Sequence, residues 1–221
     1  SDGDLAVGEC YNDSTFDMAG TYLYINGGNI SGGGQHAKIT LTVAAGERHD
    51  GTAGTGVRIV STTAHNRIYM RPKLTTVGNV TVEWIELNNN GRDTISVNSS
   101  GASNSIACLR NCIIHNQMRS GLQAVAKDVL AMNNLFYGGG AEDNGTVSGV
   151  DIDLEKAGCG FINNTVYGIT TTADSIARGM RLRQNDADSV IKNNIVMNTV
   201  SAGGAVDQFD FGWPGTTTNI T

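Results

Sequence analysis

The chain of 221 residues contains little charge, two prolines and no long apolar run. Charged residues make up only 16% of it, which is low for a helical bundle with solvated faces. Its 15 Lys and Arg residues are outnumbered by 21 Asp and Glu residues, so it lacks the basic balance of non-specific nucleic-acid binders. No apolar run approaches the roughly 20 residues of a membrane span. We therefore expect no nucleic-acid partner and no membrane insertion.

Cysteine and histidine are scarce too, and their spacing forms no metal motif. The four cysteines include no C-x-x-C pair, and the four histidines form no H-E-x-x-H. We expect mostly free, buried thiols, with Cys112 and Cys159 at inward positions as small hydrophobic residues. We expect the histidines to be solvated or hydrogen-bonded near turns.

Residues that suit turns and strands fill the chain instead. It has 29 glycines and is rich in asparagine, and both residues tolerate positive φ in tight turns. Threonine, valine and isoleucine favour strands. With 39% hydrophobic residues, a chain of this length can bury a substantial core. The composition predicts an all-β fold with many turns.

Five segments share one pattern, in which polar residues, mostly asparagine, precede a short apolar stretch. Their anchors are spaced 28, 22, 30 and 30 residues apart. These anchors are Ile85, Ile113, Leu135, Thr165 and Ile195. A period of 22 to 30 residues suits one turn of a β-solenoid, in which stacked turns share a core that no turn buries alone. The spacing therefore predicts stacked turns of two or three short strands.

The asparagine pairs in these segments predict ladders at one corner of the stack. An asparagine there can adopt the left-handed conformation and hydrogen-bond to the turns above and below. The candidates for one ladder are Asn133, Asn163 and Asn193. Those for the ladder beside it are Asn134, Asn164 and Asn194.

Two predicted strands thirty residues apart carry complementary charges. Residues 149–155 alternate apolar and acidic side chains, and residues 179–184 alternate apolar and basic ones. Stacking would place such residues about 4.8 Å apart. The predicted ion pairs are Asp151 with Arg181 and Asp153 with Arg183, and Asp210 would be a second carboxylate beside Arg183.

The two parts of the chain differ in regularity. Residues 1–79 show the repeat less clearly and predict an N-terminal cap with the first irregular turns, while residues 80–221 predict regular turns of the same continuous domain. Since no cap is visible before Thr221, we expect the native chain to continue. An alternative for Gly121–Met132 is a short inserted helix, although the flanking strands favour β-structure.

These repeats resemble the right-handed parallel β-helix proteins of the pectate-lyase-like superfamily. Residues 46–56, GERHDGTAGTG, followed by Asn-Asn-apolar turns, are similar to uncharacterised β-helix proteins of environmental bacteria and phages. The resemblance covers most of the chain. It implies a right-handed parallel β-helix. Relatives include secreted polysaccharide lyases and hydrolases, phage tailspikes and adhesins, so the fold alone does not choose among activities.

In lyases of this superfamily, acidic clusters hold Ca²⁺ against a uronate while Arg or Lys removes the α-proton. The resemblance makes Asp151, Asp153 and Glu155 candidate Ca²⁺ ligands, and Asp151, Asp153 and Arg183 candidate catalytic residues. Arginine is a poor base. The same row fits surface ion pairs worth about 0–1 kcal/mol each, and we favour that interpretation. A glycoside hydrolase would need another carboxylate pair, for which Asp186 with Asp188 and Asp207 with Asp210 are weak candidates.

Tyr137 and Tyr167 occupy equivalent positions thirty residues apart, with Met197 in the next turn. On the exterior of the stack they would form a glycan-binding platform, and in the interior they would form an aromatic core ladder. The sequence leaves both interpretations open.

We therefore expect a non-enzymatic structural or attachment module, such as a tailspike-like phage appendage or a capsid decoration that binds glycans. It would lie on a virion surface or outside the cell. Its partners would be other virion or surface proteins, copies of itself in a homotrimer, and polysaccharide. It needs no cofactor, unless Ca²⁺ binds the acidic row. The alternative is a secreted polysaccharide lyase or glycoside hydrolase that acts on an acidic polysaccharide.

Overall fold

A computed structural model of the chain shows 24 β-strands and one short 3₁₀ helix, Ala45–Glu47, in its described residues. Those residues are 5–18, 21–27, 38–61, 68–72, 79–89, 93–99, 106–126, 129–140, 146–154, 159–171, 176–184, 190–211 and 219–220. The strands are β1 (Leu5–Cys10), β2 (Phe16–Asp17), β3 (Leu23–Gly27), β4 (Lys38–Val43), β5 (Arg58–Ser61), β6 (Ile68–Pro72), β7 (Asn79–Glu83), β8 (Glu86–Asn89), β9 (Asp93–Ser99), β10 (Ala107–Arg110), β11 (Ile113–His115), β12 (Ser120–Ala126), β13 (Val129–Met132), β14 (Leu135–Tyr137), β15 (Thr146–Leu154), β16 (Gly160–Ile162), β17 (Thr165–Tyr167), β18 (Thr170–Thr171), β19 (Ile176–Gln184), β20 (Val190–Lys192), β21 (Ile195–Met197), β22 (Val200–Ser201), β23 (Val206–Phe211) and β24 (Asn219–Ile220).

Consecutive strands enter three parallel sheets in a fixed order. Sheet A has the order β1-β4-β7-β10-β13-β16-β20-β24, sheet B the order β2-β5-β8-β11-β14-β17-β21, and sheet C the order β3-β6-β9-β12-β15-β19-β23. Two short strands, β18 and β22, pair separately. We call one passage of the chain through sheets A, B and C a cycle. The predicted all-β, parallel and repetitive character is confirmed.

The strand register agrees with the predicted spacing except at its first step. Ile113 pairs with Leu135, Leu135 with Thr165, and Thr165 with Ile195, which gives steps of 22, 30 and 30 residues. Ile113, however, pairs with Glu86 rather than Ile85, so that step is 27 residues. Ile85 belongs to the corner before β8. Its carbonyl accepts a hydrogen bond from the N–H of Ile113, in the same way that the carbonyl of Cys112 in the next corner accepts one from the N–H of Leu135.

The segment expected to form a cap contributes strands to the same sheets. β1 pairs with β4, β2 with β5 and β3 with β6, so parallel pairing already starts at Leu5. β7 lies between β4 and β10 and joins this segment to the later cycles. The repeat is hard to see early in the chain because its corners lack the asparagine pair. Between β4 and β5, for example, the chain passes through residues 44–57 instead of a two-residue corner.

One continuous hydrophobic core draws residues from all three sheets. Each sheet contributes alternate residues of its strands, such as Leu109, Ala131 and Phe161 from sheet A. Leu87, Phe136 and Val166 come from sheet B. Full burial of a side chain of this size stabilises a fold by about 1.5–3 kcal/mol. Because each cycle supplies only a few such residues, its stability depends on the neighbouring cycles.

Two further expectations have clear outcomes. The alternative helix at Gly121–Met132 is wrong, because β12 and β13 occupy this segment and Leu122 and Ala124 alternate into the core. Cys112 and Cys159 are buried, and all four cysteines are free thiols, as predicted. Among the described residues, no helix has the length and apolarity that crossing a bilayer requires.

Candidate binding face on sheet B

In the later cycles, each strand of sheet B follows a corner of two residues, and this corner determines which residues of the strand face the core. The first corner residue has a positive φ of 54° or 55° in Asn111, Asn133, Asn163 and Asn193, a region that asparagine adopts more readily than most residues. The second corner residue is buried in two of these corners, where it is Asn134 or Asn164. These local preferences explain why the asparagine pairs repeat at the same place in each cycle.

The two residues of each pair have different roles. The N–H and Nδ2 of Asn134 donate to Oδ1 of Asn164 at 3.0 and 2.9 Å, and those of Asn164 donate to Oδ1 of Asn194 at 2.9 and 3.1 Å. Each Nδ2 also donates to a carbonyl of the preceding cycle. In the outer row, Nδ2 of Asn133 donates to Oδ1 of Asn111 at 3.3 Å. The second asparagine therefore builds the buried ladder, while the first supplies the turn.

Three residues follow each corner, and the middle one enters the core. Because side chains alternate along a strand, the residues on either side of it lie on the opposite, outer face. One row of this face is formed by Glu86, Ile113, Leu135, Thr165 and Ile195. The other is formed by Asn88, His115, Tyr137, Tyr167 and Met197. The tyrosines thus lie on the outer face and not in the core ladder that the sequence left open.

Residues 44–57, here called the covering loop, pack on the first part of this outer face. Oδ1 of Asp50 accepts hydrogen bonds from the N–H of Thr52 at 2.9 Å and from Oγ1 of Thr55 at 3.0 Å. These bonds lower the pKa of the Asp50 carboxyl, the backbone N–H of Thr52 being the largest cause. A Cβ on Gly56 would lie 2.4 Å from the backbone nitrogen of His49, so the loop closes only with glycine there.

His49 and Arg48 connect the covering loop to the corners before β11 and β8. Nε2 of His49 donates to the carbonyl of Asn111 at 2.9 Å, and its Nδ1 accepts the N–H of Gly51 at 3.3 Å. The Arg48 guanidinium lies 4.9 Å from the ring centre of Trp84, within the range of a cation–π contact. Trp84 itself has φ 63°, an uncommon conformation for a bulky residue.

Glu86 and His115 form a buried pair beneath the covering loop. Nε2 of His115 donates to Oε1 of Glu86 at 2.9 Å, and the N–H of Gly54 in the loop donates to Oε2 at 2.5 Å. Glu86 is 1% exposed and His115 is 6% exposed. A carboxylate buried this deeply needs such donors to offset its lost hydration. Glu86 therefore joins the loop to the sheet.

Beyond this pair the outer face opens to solvent. The imidazole of His115 stacks on Tyr137 with ring centres 4.8 Å apart and planes 2° apart. Tyr137 is half-buried, and burial, followed by the charge of Glu86, raises its pKa. Tyr167 is 45% exposed, Ile195 54% and Met197 47%. The result is an apolar, partly aromatic strip that extends from the covering loop across β14, β17 and β21.

The acidic and basic row predicted from sequence lies on sheet C. Asp151 pairs with Arg181 and Asp153 with Arg183 in the backbone register. Asp210 is opposite Arg181 and not Arg183, because β23 is displaced by two residues from the expected alignment. The side chains of Asp151, Asp153, Arg183 and Asp210 lie outside the described part, so their ion pairs and catalytic roles stay predictions.

The predicted Ca²⁺ site and hydrolase pairs also fall largely on residues that are not described. Glu155, Asp186 and Asp188 lie outside the described residues, and so do the side chains of Asp207 and Asp210. In the part of the chain that is described, no group of three or more His, Cys, Asp or Glu side chains could hold a metal ion.

Two groups of functional candidates were not found from the sequence. His115 occupies the same position after an Asn-led corner as Tyr137, and aligning the segments on their corners would have revealed it. The second group is an exposed cluster of Tyr22, Tyr24 and Tyr69 on sheet C, in which Tyr24 and Tyr69 stack with ring centres 5.0 Å apart. Tyr24 and Tyr69 are 45 residues apart in sequence, beyond the reach of any local pattern.

Comparisons with protein-family models, with curated proteins and with solved structures gave no match to this chain. Its functional interpretation therefore depends on its own geometry.

Proposed function

We propose that this protein is a non-enzymatic attachment module built as a right-handed parallel β-helix, which binds glycans on the outer face of sheet B. Three observations on the described residues support the β-helix: their strands pair in parallel, each cycle visits the three sheets in the same order, and one core runs through the cycles. We further propose that it is displayed on a virion surface or outside the cell, beside other surface proteins and as a homotrimer.

The observation that carries the glycan-binding proposal is the register of Tyr137, Tyr167 and Met197 on one exposed strip. Neighbouring parallel strands lie about 4.8 Å apart, so the three side chains span roughly 10 Å. Aromatic rings offer large, rigid apolar surfaces at low entropic cost, and the C–H faces of pyranose rings stack on them. A rigid sheet presents these contacts without an ordering cost on binding.

A glycan microarray with the purified protein tests this proposal. We expect binding that falls at least tenfold in Tyr167→Ala, equivalent to about 1.4 kcal/mol. Tyr11→Ala is the matched control, because Tyr11 is 52% exposed, lies on no strand of sheet B and bonds to Glu9. Equal binding by both variants, or no binding to any glycan, would contradict the proposal.

The second candidate function is a polysaccharide lyase that acts on an acidic polysaccharide at the sheet C row. The backbone register that places Asp151 and Asp210 on either side of Arg181 favours it, since such a row could hold Ca²⁺ and a uronate. The formation of unsaturated uronate products from polygalacturonate or alginate, measured with and without Ca²⁺, tests it. Activity lost in a folded Asp153→Asn variant would support the lyase over the attachment module.

A further inference from the structure

We propose that the outer face of sheet B binds the end of an uncharged glycan chain, with that end against the covering loop. This inference rests on the proposed glycan-binding function and adds which part and which chemical class of glycan the face takes. It follows from three properties of the strip: one closed side, one open side and uncharged side chains.

The side of the strip next to β11 is closed. Ile113 and His115 lie on the outer face of β11, yet both are buried, and so is Glu86 on β8. The covering loop lies over them, as the hydrogen bond from Gly54 to Glu86 shows. A sugar on Tyr137 therefore finds no exposed side chain on β11 for a further unit, and the next residue of this row, Asn88 on β8, is partly buried. The ring of His115, stacked on Tyr137, forms the wall at this point.

The opposite side of the strip is open. Exposure increases from the half-buried Tyr137 on β14 to Tyr167 on β17 and Met197 on β21. β21 is the outermost strand of sheet B in the described part of the chain. A linear glycan can therefore contact Tyr137 with its last unit and Tyr167 and Met197 with the next ones.

The strip is uncharged. Its six side chains are those of Leu135, Tyr137, Thr165, Tyr167, Ile195 and Met197. At the wall, the Glu86 carboxyl is already bonded to His115 and to the N–H of Gly54, so this pair offers no free cationic group to an acidic sugar at the Tyr137 position. A uronate would also lose hydration against Ile195 and Met197 without a cationic partner on the strip. Neutral units, including N-acetylated and 6-deoxy sugars with methyl groups, fit this surface.

Binding stoichiometry on chains of different length tests the inference. The probes are short and long linear oligomers of glucose, N-acetylglucosamine and rhamnose, with oligogalacturonate as the acidic comparison, and calorimetry gives the number of proteins per chain. We expect one protein per neutral chain whatever its length, since each chain has one end of the required kind. Several proteins on a long chain would overturn end recognition and leave the proposed function intact.

Attachment of the same oligomers to a support through one end or the other gives a second readout. We expect the protein to bind oligomers attached through one end and not those attached through the other end. Binding to both kinds of attached oligomer would overturn the inference. Tyr167→Ala should abolish binding while Tyr11→Ala retains it. Preference for oligogalacturonate would overturn the neutral class. Failure of every glycan to bind, or self-association that buries Tyr167, would overturn the inference and the proposed function together.

Discussion

Replacing Asn164 with alanine removes the central member of the buried ladder. Its Oδ1 accepts two hydrogen bonds from Asn134, at 3.0 and 2.9 Å. Its Nδ2 donates to the carbonyl of Ala131 at 3.0 Å and to Oδ1 of Asn194 at 3.1 Å. Asn164 is 1% exposed, so water cannot readily replace these four bonds. The substitution therefore leaves several polar groups in the interior without their partners.

The expected cost follows from this count of bonds. A typical hydrogen bond contributes about 0.5–1.5 kcal/mol net, and a buried group left unsatisfied costs about 1–3 kcal/mol. Part of the loss is recovered, because the amide of Asn134 keeps its bond to the carbonyl of Leu109. We expect Asn164→Ala to reduce the free energy of unfolding by about 3–5 kcal/mol, at the upper end for single substitutions.

Chemical denaturation followed by circular dichroism measures this change from the shift in midpoint. Because stacked repeats can unfold in parts, amide hydrogen exchange of the adjacent cycles should accompany it. Asn163→Gly is the matched control: Asn163 is exposed and has φ 55°, which glycine adopts without strain, so we expect a change within about 0.5 kcal/mol. A cost below about 1 kcal/mol for Asn164→Ala, or one equal to the control, would refute the role of the ladder.

Three further predictions concern the covering loop and the thiols. Because the pKa of Asp50 is lowered in the folded protein, the Asp50 carboxylate stabilises the covering loop above the ordinary pKa of about 4, and this stabilisation is lost as pH falls through the lowered pKa. The NMR shift of the Thr52 amide should follow this titration, and the pH dependence should disappear in Asp50→Asn. Glu86→Ala should destabilise the protein by about 2–3 kcal/mol and speed amide exchange in the covering loop, and unchanged exchange would show that the carboxylate does not anchor it. Burial raises the pKa of Cys112 to about 12, so iodoacetamide at pH 8 should modify the half-buried Cys108 first, whereas equal rates by mass spectrometry would contradict that burial.

The asparagine corners were predictable because the necessary information is local. A residue that tolerates positive φ, followed by a short strand, is visible in sequence wherever it recurs, as in Asn133 and Asn163. The prediction failed by one residue at Ile85, where a hydrophobic residue takes the second corner position and hides the pattern. The assignment of Asp210 failed similarly, since the length of the last connection could not be read from charges alone.

The candidate binding face was predictable in part. The thirty-residue spacing of Tyr137 and Tyr167 placed them in one column, but it could not say whether that column faced the core or solvent. Val166, between the corner and Tyr167, decides this because it enters the core and leaves the tyrosine outside. His115 was expected to be solvated or hydrogen-bonded near a turn; it is hydrogen-bonded to Glu86, and the sequence did not indicate that its ring is buried against Tyr137.

The sequence by itself determined the strand-and-turn repeat, the period of its later cycles and the parallel stacking of residues thirty positions apart. These features follow from backbone preferences and from the alternation of side chains, which act between residues close in the chain. Only the tertiary structure decided that the covering loop closes one side of the sheet B face. The bond from Gly54 to Glu86 joins residues 32 positions apart, and that from His49 to Asn111 joins residues 62 apart. No periodicity encodes such contacts, because they depend on how an irregular loop packs on strands of later cycles.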